Sequence, residues 1–149
     1  MSDPPSSSAL LATTASWTAA VRALESQRDD RLFSDPWAQE LAGASGLAWM
    51  ETKSPESVVP IVLRTRYFDD VLEHISRDLG IRQIVLLGAG YDTRAFRLQW
   101  PSSTSLFELD SPLVLERKDS ILSEMNFHNL LLYTITYSED SQGLIYYLE

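Results

Sequence analysis

The run Ile84-Val85-Leu86-Leu87, closed by Gly88-Ala89-Gly90, constrains this chain more than any other stretch. Branched apolar residues held between Arg82-Gln83 and a glycine read as a short parallel strand buried on both faces. The two glycines at its end let the backbone turn sharply and approach a ligand that side chains would block. Such a pair also fits an ordinary tight turn, so on its own it leaves both readings open.

The flanking pattern sets the fold class. Before the strand, Ile61, Thr65, Phe68, Leu72, Ile75 and Leu79 recur every three or four residues, marking one face of a helix that Gly80 stops. After the loop come a short helix, a strand over 105–110, a helix opened by Ser111-Pro112 and running to about Glu124, and a strand over 130–136. Upstream, the Pro- and Ser-rich residues 1–8 are expected to be disordered and the Ala-rich stretch 9–24 helical. Asp35 is placed to cap a helix that starts with Pro36 and ends at Gly43, and 43–60 reads as loop.

This alternation predicts an α/β chain with a parallel sheet, right-handed crossovers and helices on the sheet faces. The organisation expected is one domain, with a helical segment over 9–80 and a nucleotide-binding portion over 81–149. A doubly wound sheet usually has more units than follow Thr136, so the fold is expected to be incomplete at its C-terminus; residues 143–149 offer one more short strand.

A formal charge of −9 repels nucleic-acid phosphates and anionic membrane surfaces, which argues against both as partners. The absence of cysteine excludes disulfides, thiolate metal sites and a thiol nucleophile. The N-terminus lacks a secretory pattern and no run approaches the ~20 apolar residues of a membrane span, so a cytoplasmic protein is expected.

An acid downstream gives the glycine loop its meaning. Asp110 stands 22 residues beyond Gly88 at the end of the next strand, where a carboxylate can accept hydrogen bonds from both hydroxyls of an adenosine ribose. Its alternative role is a charge favourable to the dipole of the following helix. Glu108 shares its strand face and is a weaker candidate, on a face expected to meet solvent or a polar ligand, while Phe107 and Leu109 alternate away and are expected in the core. The third glycine of a dinucleotide fingerprint is replaced by Thr93, and Asp92 would set a negative charge beside any diphosphate. Both features favour S-adenosylmethionine, which carries an ammonium and no phosphate, over NAD.

Three ordered motifs, Arg64-Thr65-Arg66-Tyr67-Phe68-Asp69-Asp70, 85–94 around Gly88-Ala89-Gly90, and Phe107-Glu108-Leu109-Asp110-Ser111-Pro112, resemble the leucine carboxyl methyltransferase-like family, in particular its bacterial branch of S-adenosylmethionine-dependent methyltransferases. Ala20-Val21-Arg22-Ala23 and Leu32-Phe33-Ser34-Asp35-Pro36 look like that group's N-terminal helices, so the resemblance covers roughly 18–122. It implies a Rossmann-like class I methyltransferase fold in which Gly88, Ala89 and Gly90 bound the methionine part of the cofactor and Asp110 binds the ribose. An arginine of the preceding helix would grip the cofactor carboxylate bidentately, Arg66 first and Arg64 second. Their alternative is a solvated helix face paired with Asp69 or Asp70. Asp92 and Arg94 could pair to hold the loop, Tyr91 could pack over the cofactor, and Glu139 and Asp140 loosely match the acidic segment at the adenine end.

Methyl transfer is an in-line displacement that can rest on positioning and electrostatics, so no catalytic residue is assigned. His74 lies off the apolar helix face and His128 in a polar connection, so neither reads as a base or metal ligand, and no metal constellation is seen. The function expected is S-adenosylmethionine-dependent O-methylation of a carboxylate or hydroxyl on a small molecule or peptide. The competing readings are a truncated cofactor-binding module without turnover and, behind it, an NAD-dependent oxidoreductase.

Overall fold

A computed structural model describes residues 7–122, 130–136 and 147–148. Helix α1 (Ser7–Ser26) is followed by α2 (Ala38–Glu51) and α3 (Pro55–Arg77). Then come β1 (Gln83–Leu87), the single turn α4 (Arg94–Arg97), β2 (Thr104–Asp110), α5 (Pro112–Leu122), β3 (Leu130–Thr136) and β4 (Tyr147–Leu148). The sheet order is β1-β2-β3-β4. The first three strands are parallel, with Leu86 opposite Glu108 and Asp110 opposite Thr136, and β4 pairs antiparallel with β3. The sequence thus gives a mixed α/β fold with a small parallel sheet, and the expected strands over 84–87, 105–110 and 130–136 are present within a residue.

Small residues let α1 and α2 cross closely. Ala15, Ala19 and Ala20 of α1 are buried against Leu41 and Ala42 of α2, and a Cβ on Gly46 would stand 2.7 Å from the Ser16 carbonyl oxygen. Trp17 and Trp49 meet edge-on at 5.6 Å further along the same contact. This packing overturns the expected loop over 43–60. Gly43, with φ +61 and ψ 177, kinks the helix without ending it, and α2 resumes to Glu51 on the strength of burial rather than amphipathic period. Helix α3 then starts at Pro55, where the ring suits the first turn, and carries Pro60 in its second. Nor does Asp35 cap α2: the cap position is Trp37, with no side-chain cap bond, and the Asp35 carboxylate is turned inward.

One sheet face is covered. Ile84 and Leu106 pack with Leu72 of α3, Ala95 of α4 and Trp100, while Val114 and Leu122 of α5 join the α1 and α2 cluster. The opposite face is open among the described residues, with Val85 at 56%, Leu87 at 75% and Leu131 at 55% exposure. Among the described residues β1 is therefore buried on one face, which corrects the expected burial on both. Strict alternation along β2 also reverses the expected core: Thr104, Leu106, Glu108 and Asp110 are the buried set, whereas Phe107 lies on the open face stacked on Tyr133 at 4.8 Å.

Candidate functional site

The turn after β1 is built for a left-handed backbone. Gly88 and Gly90 have φ of +64 and +56, a conformation that costs side-chain-bearing residues energy. The turn is fastened to the end of β2 by two of its amides. Ala89 N–H donates to the Leu109 carbonyl at 3.1 Å and Gly90 N–H donates to Asp110 Oδ2 at 2.7 Å. The other Asp110 oxygen accepts the Ser111 N–H at 2.7 Å, so this carboxylate joins the glycine turn to the start of α5.

A cavity of about 610 Å³ opens over this turn at the C-terminal ends of β1 and β2. Gly88, Ala89, Gly90, Asp92 and Asp110 line one side, and Arg64, Thr65 and Phe68 of α3 line another. Residues of α1, Leu11 through Arg22, complete the wall. Of the expected site residues, Gly88, Ala89, Gly90 and Asp110 thus come together at one cavity. Arg66 does not. Half-exposed, it pairs with Asp70 at 2.8 Å and donates to the Leu32 carbonyl at 2.9 Å. Two residues along a helix is about half a turn, which carries Arg66 off the face that Arg64 presents to the cavity. Arg64 has no ion-pair partner among the described residues.

Ion pairs beneath the turn hold it. Arg22 of α1, buried, donates Nε to Asp35 Oδ2 at 2.8 Å and Nη2 to the Tyr91 carbonyl. The same Asp35 oxygen accepts the Thr93 hydroxyl at 2.7 Å. Thr93, which stands where a dinucleotide fingerprint has glycine, thus ties the turn to the segment before α2. Asp92 pairs with Arg94 through its side chain and accepts the Arg94 backbone N–H at 2.7 Å. Burial pushes the Asp92 carboxyl up, but the charges of Arg94, Arg22 and Lys118 and the backbone bond outweigh it, and the group sits below its ordinary value. Tyr91 does not cover the cavity; its ring is sunk among Ala15, Leu41 and Val114, anchoring the turn in the helical core.

Glu108 is not a second ligand. It is 1% exposed and salt-bridged to Lys118 of α5, equally buried, and burial drives its carboxyl up against the opposing pull of that lysine. His74 is exposed and bonded to Asp78 at 2.6 Å. His128, Glu139 and Asp140 lie outside the described residues. The sequence reading missed Arg22, Asp35 and Asp69 as builders of the site. The signal available was charge at positions inside the quoted motifs, the Arg of Ala20-Val21-Arg22-Ala23, the Asp before Pro36 and the first Asp of Asp69-Asp70.

An open α/β sheet binds ligands outside the carboxyl ends of its strands. Here that crevice brings together a glycine turn, the Asp110 carboxylate and the Arg64 guanidinium. The leucine carboxyl methyltransferase family model matches residues 15–130. A protein of Streptomyces coelicolor named "Putative S-adenosyl-L-methionine-dependent methyltransferase" is 48% identical over 74% of this chain and 42% of its own length. Similarly named proteins of Streptomyces avermitilis, at 44% identity over 74% of the chain and 42% of their length, and of Mycobacterium bovis, at 40% over 71% and 37%, agree. The chain belongs to the leucine carboxyl methyltransferase family. It spans less than half the length of the curated relatives it matches. No helix among the described residues is long and apolar enough to cross a membrane.

Proposed function

We propose that this chain forms the S-adenosylmethionine-binding part of a methyltransferase whose acceptor is a carboxylate or hydroxyl on a small molecule or peptide. The observation that carries the reading is the convergence of Asp110, the Gly88–Gly90 turn and Arg64, which has no ion-pair partner among the described residues, on one cavity. Asp110 accepts from the ribose hydroxyls, its lone pairs not being exhausted by two backbone N–H groups. The glycines leave room for the methionine part, and Arg64, rather than Arg66, grips its carboxylate. The relatives' names support the same cofactor.

Among the described residues, the other charged groups lining the cavity, Arg22, Asp92, Arg94 and Asp110, are all engaged. None is a free base. A carboxylate acceptor needs none, because it is already a nucleophile when ionised, and positioning then supplies the catalysis. A hydroxyl acceptor does need one, and for that acceptor the lack of a base among the described residues favours, as a second reading, cofactor binding without turnover. The NAD reading is disfavoured by α4, a single turn that presents no extended helix end to a pyrophosphate. Incubation with methyl-labelled S-adenosylmethionine and a library of small carboxylic acids, hydroxy compounds and peptides tests the proposal. Label in an ester or ether supports turnover, and retention of all label in the cofactor by a chain that binds it favours the second reading.

A further inference from the structure

Asp69 of α3 is 6% exposed, yet it meets two arginines from the segment after the glycine turn. Arg97 alone would neutralise it, giving Nη1 to Oδ2 at 2.6 Å and Nη2 to Oδ1 at 2.7 Å. Arg94 adds Nε to Oδ1 at 2.7 Å, then reaches the Thr65 carbonyl with Nη2 at 3.2 Å and Asp92 with Nη1. One guanidinium therefore bridges two points of α3, one of them beside Arg64, to the acid that follows the glycine turn. A planar fork with all its nitrogens engaged has little freedom to shift. We propose that Asp69 is a positioning residue which, through Arg94, fixes the separation between Arg64 and the Gly88–Gly90 turn, and so sets how the site receives the carboxylate end of its cofactor.

This inference rests on the reading of Arg64 as the carboxylate grip. A role for Asp69 in stability alone would weaken every ligand of the cavity alike. A positioning role spares any ligand that does not reach Arg64. S-adenosylhomocysteine and 5′-methylthioadenosine separate the two, since both present adenosine and a thioether but only the former carries the amino-acid carboxylate.

The experiment is titration calorimetry of the 149-residue chain and its Asp69→Asn and Asp69→Glu variants with both ligands, with thermal unfolding followed in parallel. Asp69→Glu keeps the charge and displaces the carboxylate by one methylene, so it serves if Asp69→Asn does not fold. Expected is a loss of about tenfold or more for S-adenosylhomocysteine with less than about twofold for methylthioadenosine, in the range for a misplaced charge-assisted bond. Equal losses for both ligands, or no loss in a folded variant, overturn the inference. A wild-type chain that binds both equally overturns the Arg64 reading itself, and this inference with it.

Discussion

Asp110 Oδ2 accepts the backbone N–H of Gly90 at 2.7 Å, so the acid proposed to hold the ribose also sets the shape of the turn proposed to hold the methionine part. The two functions cannot be removed separately by deleting the side chain. Asp110→Ala is expected to weaken S-adenosylmethionine binding by about 1.5 to 3 kcal/mol per lost hydrogen bond to the carboxylate. Asp110→Asn, which keeps one acceptor for Gly90, should lose less. Calorimetry on the two variants checks this, and unchanged affinity in Asp110→Ala contradicts the ribose placement.

Arg64 and Arg66 give opposite expectations despite their proximity in sequence. Arg64→Ala should reduce cofactor affinity about tenfold or more, as for loss of a charged bidentate contact. Arg66→Ala removes a half-exposed pair with Asp70 and should change stability by less than about 1 kcal/mol and affinity hardly at all. Equilibrium dialysis with labelled cofactor distinguishes them, and a larger loss in Arg66→Ala would contradict the assignment.

The different placement of these two arginines illustrates what was legible in the sequence and what was not. The branched run 84–87 closed by glycine marks the first strand, the alternation of strands and helices after it places 105–110 and 130–136, and the glycines and Asp110 stand at the ends of the first two strands. Period and motif order locate α3 and its two arginines, but which of the two faces the cavity depends on the rotation of the helix, which tertiary packing sets. The segment 43–51 shows no amphipathic period because its buried contact with α1 is made at Gly46, which has no apolar side chain to mark the face, as the Gly46 contact with Ser16 shows. Glu108 looked like a surface acid because its lysine partner lies ten residues on, in another element.

The glycines should fail differently. Gly90→Ala meets only an ordinary contact with Ala15 Cβ at 3.5 Å, so its cost is the positive φ, about 1 to 2 kcal/mol. In Gly46→Ala the new methyl would meet the Ser16 carbonyl oxygen at 2.7 Å and force α1 from α2, so a loss of about 1 to 3 kcal/mol with cofactor contacts otherwise intact is expected. Urea unfolding ranks the two, and a neutral Gly46→Ala would contradict the close helix crossing.

The buried pair of Glu108 and Lys118 gives a fourth test. Lys118→Met leaves Glu108 without its cation and should cost about 3 kcal/mol or more, while Glu108→Leu combined with Lys118→Met should recover much of that loss. Denaturant midpoints for the single and double variants provide the comparison. Equal destabilisation in both would contradict the ion pair as the source.

Asp92 sets part of the acid limb of stability. Its carboxyl is held below the ordinary value of 3.8, so it contributes stability above that pH and loses it as pH falls through the lowered folded value. Asp92→Asn should therefore be less stable near neutrality and lose less on acidification than the parent. Stability measured from pH 6 downward tests the sign, and parallel curves would contradict it.

The central claim is that this cavity takes S-adenosylmethionine and not a dinucleotide. Titration of the purified chain with S-adenosylmethionine and with NAD, under the same conditions, is its most direct test. Saturable one-to-one binding of S-adenosylmethionine with no measurable heat from NAD is the expected result. Binding of NAD without binding of S-adenosylmethionine, or no binding of S-adenosylmethionine at high micromolar concentration by a folded chain, would contradict the account.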